Sequence, residues 1–72
     1  MAKRTGDQLL RGDRVVAATD LVGVPAGTRG RVDVVNGFRW TRYWVSFENG
    51  VQIGSLDRAE LTRVDKRGEP VS

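Results

Sequence analysis

The segment Asn36–Gly50, NGFRWTRYWVSFENG, constrains the fold more than any other part of the chain. Within it Tyr43, Val45 and Phe47 alternate with Trp44, Ser46 and Glu48. That is the period of a strand with one face on a core and the other on water. Asn-Gly precedes the run and Glu-Asn-Gly follows it, residues that tolerate the positive φ of tight turns. All five aromatic side chains of the protein fall in this segment. It reads as a central strand with Tyr43, Val45 and Phe47 inward and Trp44 outward, preceded by a loop displaying Phe38, Arg39, Trp40 and Arg42.

The flanking sequence supplies partners for that strand. Arg14–Ala18 is a short strand with Val15 and Ala17 inward, and Thr19–Thr28, with Pro25 and Gly27, is a turn-rich loop whose Leu21 and Val24 tuck onto the core. Gly30–Val35 alternates, with Val32 and Val34 inward and Arg31 and Asp33 outward. Two paths lead on to Tyr43: a tight turn at Asn36-Gly37, or a loop through Arg42. The loop is favoured because Tyr43–Phe47 then matches Gly30–Val35 in length. Glu48-Asn49-Gly50 turns the chain into Val51–Ser55, with Val51 and Ile53 inward. Asp57-Arg58-Ala59-Glu60 has the spacing of a capping box on a single helical turn. Leu61–Val64 is the last strand. Residues 1–11 and 65–72 read as flexible tails, with Leu9 and Leu10 at one edge of the core, leaving 12–64 as the domain. Five short strands, a long loop after the first and one helical turn before the last describe an all-β, five-stranded SH3-like barrel. An OB-fold is the main competitor and needs more residues and a fuller helix.

At 72 residues the chain makes one small domain, and a single core of that size rarely supplies more than ~3–5 kcal/mol. There is no cysteine or histidine, which removes a disulfide framework and the usual zinc ligand sets. No apolar run is long enough for a signal-peptide core or a membrane span, so a soluble, cytoplasmic protein is expected. The net charge of +3 is local. Between Thr28 and Phe47 stand Arg29, Arg31, Arg39 and Arg42 against Asp33 alone, four minus one, while the remaining basic and acidic residues cancel. Ten of the twelve basic residues are arginine, whose planar fork suits phosphate and carboxylate.

Gly12-Asp13-Arg14-Val15-Val16, Pro25-Ala26-Gly27-Thr28-Arg29-Gly30-Arg31-Val32 and Tyr43-Trp44-Val45-Ser46-Phe47 together resemble the G-D-x-V, G-x-x-G-x-V and Y-x-V-x-F layout of small bacterial SH3-like domains. KOW domains of ribosomal and transcription-elongation proteins look similar over the first two motifs, and the SH3-like accessory subunit of photosystem I over most of the barrel. The resemblance spans Gly12 to Val64 and rests on turn glycines and core valines. It implies the fold and leaves the role open, since one barrel serves many functions. Two departures narrow the role. KOW loops are usually rich in lysine and glycine where this chain has Phe38-Arg39-Trp40-Thr41-Arg42. The proline-peptide type of SH3 domain carries acidic and aromatic groups near its first long loop, where this chain offers Asp20 and no aromatic.

Catalysis is not expected. Ser46, Ser55 and Ser72 have no base at a recognised spacing, and Asp13, Asp33 and Glu48 make no metal loop. Gly27-Thr28-Arg29-Gly30 lacks the lysine and length of a phosphate-binding P-loop. No cofactor is implied. The expected partner-binding residues are Arg29, Arg31, Phe38, Arg39, Trp40, Arg42 and Trp44, since arginine and tryptophan dominate interface hot spots. Phe38 and Trp40 have a structural alternative as a lid over one end of the barrel. The first expectation for a partner is a larger protein with an acidic rim. RNA or DNA follows, with arginines on phosphate and tryptophans stacked on bases. A homodimer through the same face is the third reading.

Overall fold

The computed structural model describes residues 8–37 and 40–71. Five antiparallel strands form one sheet: β1 (Arg14–Ala17), β2 (Arg29–Gly37), β3 (Thr41–Phe47), β4 (Gln52–Leu56) and β5 (Leu61–Arg63), in the order β4-β3-β2-β1-β5. A 3-10 turn, Arg58–Glu60, precedes β5. The expected class, all-β with five strands and one short helical turn before the last, is what the chain adopts. The turn is closed as its spacing predicts: the Asp57 amide donates to Glu60 Oε1 at 3.2 Å and the Glu60 amide to the Asp57 carbonyl at 3.0 Å.

Every strand sends side chains into a single core built from Val15, Ala17, Val24, Val32, Tyr43, Val45, Phe47, Leu56 and Leu61, so the sheet curls around it. Leu9 lies at the centre of this core and is fully buried. The Leu9 amide donates to the Tyr43 hydroxyl at 3.1 Å, which satisfies two groups that burial would otherwise leave unpaired. The loop after β1 folds as expected, with Val24 buried, Leu21 packed against the core and the two bridged.

The ordered unit extends past the expected limits of 12–64 on both sides. Leu9 is core, and the segment after β5, expected as a mobile tail, folds back. Val64 bridges to Pro70 and the Val71 amide donates to the Arg63 carbonyl at 2.9 Å. Asp65 organises this turn, its Oδ1 accepting from the amides of Arg67 (2.8 Å) and Glu69 (3.1 Å). The Glu69 amide is the main cause holding the Asp65 carboxyl below its usual 3.8, against a desolvation cost, with Arg67 adding to it. Met1–Asp7, expected as the frayed part of the N-terminal tail, lie outside the described residues.

Two irregularities shape the β2–β3–β4 ribbon. Val32 pairs with Val45, yet Val34 pairs with Trp44, so Asp33 is one residue too many on β2. Across β3, Val45 pairs with Ile53 but Tyr43 with Leu56, so Gly54 and Ser55 together oppose Trp44. Such bulges bend a strand and increase its twist. Ser55 takes φ 59°, the one positive value among described non-glycine residues. The extra residue on β2 overturns the expected facing of Val34. It points outward and is 47% exposed, while Val35 turns in against the core.

Candidate functional site

The strand pairing assembles an outer face on β2, β3 and β4. Because Tyr43, Val45 and Phe47 are buried, Arg42, Trp44 and Ser46 project from the other side of β3. Their cross-strand neighbours on β2 are Asn36, Val34 and Arg31 respectively. The face therefore runs from Arg31 and Ser46 at one end, through Val34 and Trp44, to Asn36 and Arg42 at the hairpin tip. From Arg31 to Gly37 this is six residue steps along the strand, about 20 Å at 3.3 Å per residue.

The tip is tighter than expected. Gly37 pairs with Thr41, so the pairing of β2 and β3 runs past Val35 and β3 begins before Tyr43. A side chain at Gly37 would collide with the Trp40 carbonyl, which is why glycine closes β2. Trp40 is 58% exposed and is no lid over the core. The Arg42 guanidinium carbon lies 5.2 Å from the centroid of the Trp40 ring, within range of a cation–π contact. Phe38 and Arg39, expected partner-binding residues, lie outside the described residues.

Trp44 faces outward as its alternation requires, but it is half-buried rather than free. The five-membered ring of its indole packs against Gly54 of β4, and a Cβ at Gly54 would collide with Trp44 Nε1 and Cδ1. Part of this ring is thus occupied by the protein's own backbone. Beside it the Asp33 carboxylate accepts from the Ser46 hydroxyl and, at 3.1 Å, from Gln52 Nε2. The bulged residue thereby ties together all three strands of the face. Sequence periodicity gives no sign of this link, because Ser46 and Gln52 carry no charge to mark them.

Arg29 and Arg31 stand apart from the aromatic tip. With Arg14 and Lys66 they line a cleft of about 290 Å³ between the sheet and the turn after β5. The structure thus brings Trp40, Arg42 and Trp44 onto one surface with Val34, and leaves Arg29 and Arg31 at its far end. Val34 went unrecognised because an uninterrupted period of two assigns it to the core. Among the described residues no three carboxylates cluster to hold a metal ion, and no helix is long and apolar enough to cross a membrane. Comparison with protein-family models, curated proteins and solved structures returns no match.

Proposed function

We propose that this domain is a non-enzymatic binding module that docks on a larger protein through the outer face of β2–β3. Trp40 and Arg42 are the anchor, with Val34 and Trp44 as the apolar ground beside it. The observation that carries this reading is the exposed indole of Trp40 under the Arg42 guanidinium. A small domain short of core material leaves its largest side chain in water while its core closes without it. Arginine and tryptophan at the centre of a patch are the groups whose burial dominates protein interfaces. The guanidinium sets the chemistry of the partner, an apolar pocket bordered by carboxylates. Asp33 argues for the same class, since a carboxylate in the middle of the face repels a phosphate backbone laid along it.

The alternative, RNA or DNA held by arginines with bases stacked on tryptophan, draws support from the arginines at the far end of the face. It has less aromatic surface to work with, because Trp44 is half-buried against Gly54. The test is a photoreactive phenylalanine analogue at position 34 in the full chain, irradiated in cells. A discrete protein adduct that disappears with Trp40→Asp is the expected result. A nucleic-acid adduct, or a protein adduct indifferent to Trp40→Asp, overturns the reading.

A further inference from the structure

The pairing of β1 on β2 places Arg14 directly opposite Arg31. The Val32 amide donates to the Asp13 carbonyl and the Ala17 amide to the Thr28 carbonyl. In an antiparallel ladder that alternation makes Arg14–Arg31 a non-hydrogen-bonded pair, the closer kind, with Cα atoms about 4.5 Å apart. Both side chains leave the outer face, because Val15 and Val32 beside them are buried. Like charges directly opposite are destabilising. Among the described residues neither arginine is paired with an acid: the ion pairs there are Arg63 with Asp13 and Arg67 with Asp65.

Two more cations close the same cleft. Arg29 leaves β2 on the side of Arg31, and its guanidinium packs on the turn after β5, where a Cβ at Gly68 would sit 2.6 Å from Nη2. Lys66 belongs to that turn. Two carboxylates also line the cleft, Glu48 and Asp65. The Asp65 carboxylate is held by the amides of its own turn. Four cations less two acids leave a charge of +2 in about 290 Å³.

We propose that this cleft is a binding site for a phosphate monoester, gripped between Arg14 and Arg31 with Arg29 and Lys66 at its rim. A guanidinium presents two parallel N–H groups, so two facing forks exceed the two oxygens of one carboxylate. A terminal phosphate offers three oxygens and carries about −1.5 to −2 at neutral pH, matching the charge of the cleft. A phosphodiester carries half that charge and two free oxygens. The volume lies at the lower limit of ligand sites, roughly 300 Å³, which suits a phosphorylated amino acid or small metabolite end. This site adjoins the docking face at its far end, through Arg31 and Ser46, and its test does not involve Trp40.

The experiment is a titration of the nitrogen-15-labelled full chain with O-phosphoserine at low ionic strength, followed by amide shifts, with sodium chloride of matched ionic strength as control. Saturating shifts at Arg14, Arg31 and Gly68, weakened at least tenfold in Arg31→Gln, are expected. Unliganded Arg31→Gln should also melt at a higher temperature than the parent, because it removes the like-charge pair. A phosphoserine peptide binding tenfold tighter than the free amino acid assigns the ligand to a protein; equal binding assigns it to a free metabolite. Shifts reproduced by chloride, binding retained in Arg31→Gln, or displacement by an oligouridylate at lower phosphate concentration would each overturn the proposal.

Discussion

Replacing Tyr43 by phenylalanine removes one oxygen from the core and leaves its shape intact. Tyr43 is 1% exposed and Leu9 is not exposed at all, so the hydroxyl and the Leu9 amide meet at 3.1 Å away from water. In Tyr43→Phe the amide is left in an apolar site, and stranding a buried donor costs about 1–3 kcal/mol. Set against a total stability of roughly 3–5 kcal/mol for a core of this size, that is a large fraction. A loss near 2 kcal/mol lowers the melting temperature by about 8–16 °C, at some 4–8 °C per kcal/mol. Urea and thermal unfolding followed by circular dichroism measure the cost, and hydrogen exchange at the Leu9 amide locates it. Leu9→Ala alone should cost about 2–5 kcal/mol. The double variant should cost less than the two together, because a hydroxyl has nothing to hold once the N-terminal segment lifts away. If Tyr43→Phe melts within about 0.5 kcal/mol of the parent and the Leu9 amide keeps its protection, this account of the N-terminal anchor is wrong.

Gly54→Val should push the Trp44 indole off β4 at a cost of about 1–3 kcal/mol. In a Trp40→Phe background, where Trp44 alone emits, the fluorescence should shift to the red, and unchanged emission would contradict the packing described. Phe47→Ala should cost about 3–5 kcal/mol, enough to abolish the far-ultraviolet signal of a folded domain at 25 °C; a folded variant would refute the register of β3. The Asp65 carboxyl should titrate below 3.8 in the folded chain. Its folded value is depressed, so its contribution is present above the unfolded value and is lost as pH falls through the folded one. Carbon-13 shifts of that carboxyl give the midpoint, which a value at or above 3.8 would contradict. Asp65→Asn should remove that part of the acid sensitivity.

Legibility in the sequence followed the physics of each element. The facing of Tyr43, Val45 and Phe47 could be read because nothing interrupts their alternation, and the turn before β5 because its capping spacing is local. The facing of Val34 departs from its period because a bulge is set by the neighbouring strand rather than by the residues that form it. The hairpin tip was drawn too wide for the same reason: β2 and β3 zip beyond Val35, and pairing outweighed the turn signal at Asn36-Gly37. The full burial of Leu9 and the fold-back after Val64 carry no periodic signal, since they depend on single partners, the Tyr43 hydroxyl and the β5 backbone. Of the expected binding residues, Trp40 and Arg42 stand together at the tip as their closeness in sequence suggests. Their separation from Arg29 and Arg31 depends on distance along a strand, and the cover over Trp44 on a glycine with no side chain to announce it.

The surplus residue on β2 has a mechanical meaning. Val32 points in, Asp33 and Val34 point out and Val35 points in, so a chain lacking Asp33 would alternate without a break. Every other side chain would keep its side, while the bend would go together with the carboxylate that ties Ser46 and Gln52 to β2. The interior pattern and the aim of the Trp40–Arg42 tip are therefore governed by different residues. Removing or restoring that one residue steers the tip as a hinge pin steers an arm, while the inward side chains keep their facing.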